Sequence, residues 1–304
     1  MGPLWDVLGF GAVAVDDLIY VDEYPPADTK VRMLARRREG GGLTGTALVA
    51  AARLGARAAY CGVLGDDELS RFTLREFERE GVDCASVLFR PGARPIYSVV
   101  IVSRASGQRN VFTSHEGVHD REPHEITDEL IQRARVLFVD HTVVEGSLRA
   151  VEIAHRRGTP VVGDFESGRD PRALELLRQL DHLIVGESFA RQVTGRDTPA
   201  DMVRALAHAG RVCTIVTAGE RGCWYAERGG EVRHRPAFRV DVVDTTGCGD
   251  VFHGAYAACV ARGDSVDRAI QVATATAGLK TTQPGGRSGI PDWATVEAFL
   301  TGRT

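Results

Sequence analysis

Hydrophobic positions along the chain fall into short runs separated by stretches of helical period. Residues 7–15 are almost continuously apolar and broken only by glycine, which is how a strand buried on both faces reads. Shorter apolar runs recur at 58–63, 136–139, 161–163, 183–185 and 212–216. Between them, Leu69, Phe72 and Phe77 mark one helix face, Leu148, Val151 and Ile153 a second, and Leu174, Leu177 and Leu180 a third. Strands alternating with helices predict an α/β fold: a mainly parallel sheet with helices on both faces.

Two stretches depart from this rhythm. Residues 17–38 hold two β-prone pieces about Pro25-Pro26. Residues 95–113 read as a hairpin turning at Ser106-Gly107-Gln108, with Ile96, Val100 and Val102 close to alternation. Neither has a helix to cover it. They predict a small β-sheet formed by segments of about 17–40 and 94–114, inserted in one domain spanning 1–304 and able to serve as a lid.

Composition narrows the class. The chain has 304 residues, 43% hydrophobic and 26% charged, with net charge -4, as in an ordinary soluble globular protein. The densest basic run, Arg36-Arg37-Arg38, is closed by Glu39 and makes no basic stripe, so no nucleic-acid partner is expected. The six cysteines form no CxxC pair and no metal-ligand spacing, which points to a reducing, cytoplasmic compartment. No signal-peptide pattern opens the chain, and no apolar run reaches the ~20 residues of a membrane helix.

The chemistry concentrates in residues 242–254. A strand is expected to end near Val243, followed by a glycine-rich turn and a small-residue helix over 255–261. The turn sits at a helix N-terminus, where free N–H groups and the positive dipole end attract an anion. Gly247 and Gly249 let the backbone approach a phosphate, and Asp250 stands beside that hole. A carboxylate next to an anion site is unfavourable unless it has a task, such as taking a proton from an attacking hydroxyl. The plain alternative is a glycine-rich turn with an aspartate cap.

Asp244-Thr245-Thr246-Gly247-Cys248-Gly249-Asp250 resembles the C-terminal signature of the ribokinase-like (PfkB) carbohydrate kinase family. Gly40-Gly41-Gly42, the stretch ending Ala50-Ala51-Ala52-Arg53-Leu54-Gly55, and Tyr60 to Asp67 resemble its N-terminal motifs, and the likeness extends over essentially the whole chain. The resemblance implies ATP-dependent phosphorylation of a sugar hydroxyl, with Mg2+. Asp250 would be the general base, and Gly247, Cys248 and Gly249 the anion hole. Asp16, Gly41 and Gly42 would contact sugar, the glycines also hinging the lid. Thr217, Gly219 and Gly222 would contact ATP, as would Thr274. Asp244, Thr246 and Gly285 fall where some members bind a monovalent cation such as K+. Lid sheets of the family often pair, so a homodimer is expected.

Several positions depart from the family pattern. Thr46 stands where many members have a substrate-binding Asn, and Leu43 where ribokinase has a Lys. The Asn-x-x-Glu motif becomes Gly186-Glu187-Ser188-Phe189, leaving Glu187 as the candidate magnesium residue. Cys248 replaces an Ala; the helix end favours its thiolate and Asp250 opposes it. An open anion hole predicts that alkylating agents reach this thiol and that ATP covers it.

Segments around 21–25 and 242–245 resemble ketohexokinases, whereas Gly40-Gly41-Gly42 and Pro284-Gly285-Gly286-Arg287 resemble sulfofructose kinases. The residues that hold the sulfonate there fall on Thr113 and Thr142, with only Lys30 kept as a basic lid residue. A neutral ketohexose or related keto-sugar is therefore expected as substrate. Alternatives are sulfofructose, a 2-keto-3-deoxy sugar acid, a nucleoside, or a sensor that keeps the fold without turnover. His115, His141, Asp164 and Glu166 lie near strand ends as further candidates.

Overall fold

A computed structural model describes residues 2–106, 108–168 and 170–302; Gly107 of the expected hairpin turn lies outside them. The strands are β1 (Trp5–Phe10), β2 (Ala14–Val21), β3 (Ala35–Gly41), β4 (Ala58–Tyr60), β5 (Val63–Leu64), β6 (Leu88–Phe89), β7 (Ile96–Ser103), β8 (Arg109–Ser114), β9 (Ala134–Asp140), β10 (Val161–Phe165), β11 (His182–Gly186), β12 (Cys213–Thr217), β13 (Cys223–Glu227) and β14 (Arg233–Arg235). The helices are α1 (Leu43–Arg53), α2 (Glu68–Arg79), α3 (Asp128–Ile131), α4 (Val144–Arg157), α5 (Pro171–Arg178), α6 (Glu187–Thr194), α7 (Pro199–Leu206), α8 (Cys248–Arg262), α9 (Val266–Lys280) and α10 (Trp293–Thr301).

The main sheet has the order β14-β13-β12-β11-β10-β9-β1-β4, parallel from β12 to β4 and antiparallel at β13 and β14. Buried side chains of α1, α8 and α9 cover one face, and those of α4 to α7 the other. The α/β architecture with helices on both faces is thus as the alternating pattern predicts.

Residues 7–15 are not one strand. The run breaks after Phe10: β1 ends in the main sheet and β2 begins at Ala14 in a second sheet of order β3-β2-β7-β8. The cause is Asp140, buried at the end of β9. Its Oδ2 accepts the N–H of Ala12 at 2.6 Å and the hydroxyl of Thr44 at 2.7 Å. A Cβ at Gly11 would lie 2.1 Å from Asp140 Oδ2, so only glycine fits at the bend. The second sheet uses residues 14–41 and 96–114.

The strand expected to end near Val243 is absent. Val242 and Val243 are 61% and 63% exposed, and Val243 and Asp244 each donate a backbone N–H to Thr281 O at the end of α9. The helix after the turn begins earlier than its apolar residues suggest, at Cys248, because Gly247 takes a left-handed N-cap conformation with φ 71.

Candidate active site

The glycine-rich turn lies at the N-terminus of α8, with Asp250 in its first turn. Cys248 N–H closes back on Thr245 O at 3.2 Å, and Val251 N–H donates to Gly247 O at 2.9 Å. The amides of Gly249 and Asp250 fall between them at the open end of the helix. A Cβ at Gly247 would meet Gly286 O at 2.9 Å, which ties the turn to the loop at 284–287.

Asp250 is only half-buried by exposure, but its surroundings are acidic. Burial, then the carboxylates of Asp164 and Glu166, push its pKa well above the usual carboxylate range; the Arg287 guanidinium opposes them. Asp164, at the end of β10, is itself raised by burial and by Glu166 and Asp140. Its Oδ2 is buried without a hydrogen-bond partner among the described residues. Behind it, His253 of α8 places Nδ1 2.7 Å from Gly249 O and Nε2 3.3 Å from Asp164 Oδ1, joining the turn to β10. Of the histidines named from sequence, His141 Nδ1 accepts the Glu166 N–H at 3.4 Å, and His115 is exposed just after β8.

The second sheet supplies a row of polar side chains. Register places Glu39, Asp16, Ser98 and Thr113 beside one another across β3, β2, β7 and β8, hence on one face. Asp16 is raised by burial, which outweighs its hydrogen bond from Ser98 and the charge of Arg287. Gly41 is close by, since a Cβ there would sit 2.3 Å from Asp16 Oδ2. Gly42 is different: with φ 84 at the start of α1, its added Cβ would strike the backbone of Ala12, Val13 and Ala14 at 2.6 to 2.8 Å. Lys30 is exposed in the loop between β2 and β3. Asp17, next to Asp16, is a clamp within the sheet, held by Arg36, Arg38 and Tyr97, and its pKa is lowered chiefly by Arg38.

Arg287 links the start of α1 to the loop at 284–287; the sequence shows it only as the end of the Pro284-Gly285-Gly286-Arg287 motif, with no role assigned. It is buried, donates Nη2 to Gly41 O at 2.7 Å and Nε to Thr46 Oγ1 at 3.3 Å. Burial lowers its pKa to about 10, against the charges of Glu76, Asp16, Glu80 and Asp250. Thr46 therefore faces a buried guanidinium.

The nucleotide-side residues separate into two groups. Thr217 ends β12, and Gly219 and Gly222 shape the turn into β13; a Cβ at Gly222 would lie 2.0 Å from Arg235 O. Glu187 reaches the same turn, with Oε1 2.8 Å from Arg191 and Oε2 against Arg221. Both oxygens being so engaged, it is poorly placed to take magnesium. Thr274 is buried on α9, and its hydroxyl donates to Ile270 O at 2.7 Å within its own helix.

Cys248 is half-buried, and its thiol pKa is raised. Burial leads, and Asp250 adds to it, against Lys280 and the amides of Gly249 and Cys248. The helix end does not win, so alkylation at neutral pH is expected to be slow and to accelerate as pH rises. Peptide mass spectrometry after iodoacetamide treatment checks this; rapid labelling of Cys248 at pH 7 would contradict it.

A parallel sheet whose strand ends meet a glycine-rich helix N-terminus, with a buried carboxylate beside it and a polar second sheet, is an arrangement suited to a small-molecule phosphotransferase. The chain belongs to the pfkB family of carbohydrate kinases, whose family model matches residues 6–293. It is similar to fructokinase-1 of Oryza sativa subsp. japonica, 30% identical over 312 residues, 94% of each chain. It is also similar to a deoxyribokinase of Salmonella typhi, 27% identical over 97% of this chain and 98% of that one. A solved Agrobacterium tumefaciens structure, provisionally assigned as a ribokinase, matches with TM-score 0.90 and 30% identity, over 98% of this chain and 97% of that one. The chain is thus a sugar kinase with a ribokinase-like fold. Among the described residues no helix is long and apolar enough to cross a membrane.

Proposed function

We propose that this kinase transfers the γ-phosphoryl group of ATP to a hydroxyl of a ketohexose or a closely related keto-sugar, with Asp250 as general base. The observation that carries the proposal is the juxtaposition of Asp250, pushed toward a higher pKa by burial and by Asp164 and Glu166, with the open N-terminus of α8. A carboxylate whose pKa is raised is a stronger proton acceptor, which suits removal of a hydroxyl proton. The amides of Gly249 and Asp250 face developing negative charge without having to reorganise. Asp16 and its row neighbours on the second sheet bind and orient sugar hydroxyls, and that sheet acts as the lid. The turn at Thr217, Gly219 and Gly222 holds the nucleotide.

Magnesium, when bound with ATP, neutralises phosphate charge. The acidic side chains fit it: Asp164 Oδ2 is buried and unpartnered, and Glu166 stands close enough to raise the pKa values of both Asp164 and Asp250. Oxygen ligands supplied by one or two carboxylates, with water and phosphates completing the shell, are the ordinary environment of this ion. We assign that role to Asp164 and Glu166 in place of Glu187.

The keto-sugar reading is supported by the fructokinase relatives and by the absence of a charged side chain at Thr113 and Thr142. Thr142 lies two residues past the end of β9, its N–H donating to Asp140 Oδ1 at 2.8 Å. A sulfonate there would lack a charge-matched partner. Coupled ADP release over a panel of ketoses, aldoses, deoxyribose and sulfofructose tests the reading. An unsulfonated keto-sugar is expected to exceed sulfofructose in kcat/KM by about ten-fold or more. A preference for sulfofructose or for deoxyribose would replace it, and ATP binding without ADP release from any sugar would leave a sensor.

A further inference from the structure

Lys280, the last residue of α9, is fully buried, a rare position for a lysine. Its Nζ donates to the backbone carbonyl of Asp244 at 2.9 Å. Burial lowers its pKa, while Asp244, Cys248 and Glu39 hold the charged form and Arg109 opposes it. Four segments meet around this ammonium. Asp244 opens the turn that leads into α8. Glu39 comes from β3, and its Oε2 accepts the Gly286 N–H at 3.0 Å. Gly285 belongs to the loop after α9, and a Cβ there would lie 2.6 Å from Glu39 Oε2. Lys280 itself ends α9.

Asp244, Thr246 and Gly285 are the residues that the family resemblance assigns to a monovalent cation. Their arrangement in this chain does not fit one. The Asp244 carboxylate is already occupied, Oδ1 by the Thr246 N–H and Oδ2 by the Gly285 N–H, each at 2.8 Å. The Asp244 carbonyl takes Lys280. A free cation would have to share oxygens that already accept these donors and sit beside a buried ammonium of the same sign, which costs heavily where water does not screen.

We propose that Lys280 is the built-in cation of this turn. It is a positioning residue: its charge holds residues 244–249, and with them the N-terminus of α8, in the anion-binding shape, and it makes turnover independent of K+. The proposal rests on the reading of that helix end as the phosphoryl site. Lys280→Met keeps most of the length and removes the charge. Misplacement of the anion site by a fraction of its present geometry is expected to lower kcat by about 100-fold.

The decisive experiment is a titration of the wild-type enzyme, on its best sugar, with KCl replaced by tetramethylammonium chloride at constant ionic strength. An unchanged kcat is expected. A kcat that rises with K+ and saturates overturns the proposal, and this arm needs no variant to fold. In Lys280→Ala, K+ or methylammonium is expected to restore part of the lost kcat while leaving wild type unaffected, a response that a purely structural lysine would not give. A Lys280→Ala or Lys280→Met enzyme with wild-type kcat also overturns it. Failure of the kinase reading is distinct, since it would show as no turnover of any sugar with or without K+.

Discussion

Asp250→Asn is expected to lower kcat by ~100-fold or more while ATP affinity stays within a few-fold. The side chain keeps its size at the start of α8, so the nucleotide site is preserved and only the proton acceptor is lost. The pH dependence carries a second signature. The base works when ionised, and burial with Asp164 and Glu166 raises its pKa. Activity is therefore expected to fall, as pH decreases, along an acid limb that reports the protonation of this base. In the Asn variant that limb should disappear. Steady-state kinetics across pH, with calorimetric ATP binding, check both statements. A variant with near-wild-type kcat would remove Asp250 from the mechanism.

Gly41→Ala is expected to reduce kcat/KM for the sugar by about 100-fold, with ATP binding and the thermal midpoint close to wild type. The added Cβ would sit 2.3 Å from Asp16 Oδ2, and the carboxylate must move. Displacing a substrate-orienting group by about an ångström is worth a loss of that order. The backbone tolerates alanine, because Gly41 is not among the glycines of positive φ. Gly42 is a poorer probe. Its φ of 84 and its approach to the backbone of Ala12, Val13 and Ala14 mean that a side chain there would disturb the start of α1 before it tested any hinge. Kinetics on sugar and nucleotide separately, with a melting curve, decide the Gly41 prediction. Unchanged sugar kinetics in the folded variant would detach Asp16 from the substrate.

Much of the architecture was legible because it is local. Apolar runs at 136–139, 161–163 and 183–185 each became a central parallel strand, lengthened by one or two residues at one or both ends, and 212–216 became another, shifted by one residue. The glycine-rich turn announced a helix start through its own residues. What stayed hidden depends on partners far along the chain. Residues 7–15 carry no sign of a break, because the group that bends them is Asp140, 128 residues beyond Ala12. Val242 and Val243 read as a strand by composition, yet no neighbouring strand is there to pair with them. Arg287 and Lys280 lie in a loop and at a helix end, where charged residues are usually solvated; only the tertiary fold buries them. Glu187 illustrates the converse. It lies at a helix start near a strand end, as a magnesium residue would, but Arg191 and Arg221 claim its carboxylate.

The central claim, phosphoryl transfer from ATP to a sugar hydroxyl, is tested most directly by phosphorus NMR of a reaction containing the enzyme, ATP, magnesium and fructose. A phosphomonoester signal that grows with ADP, coupled to sugar protons and absent without fructose, is the predicted result. ADP formed with only inorganic phosphate, or ATP left intact in the presence of every sugar of the panel, would contradict it.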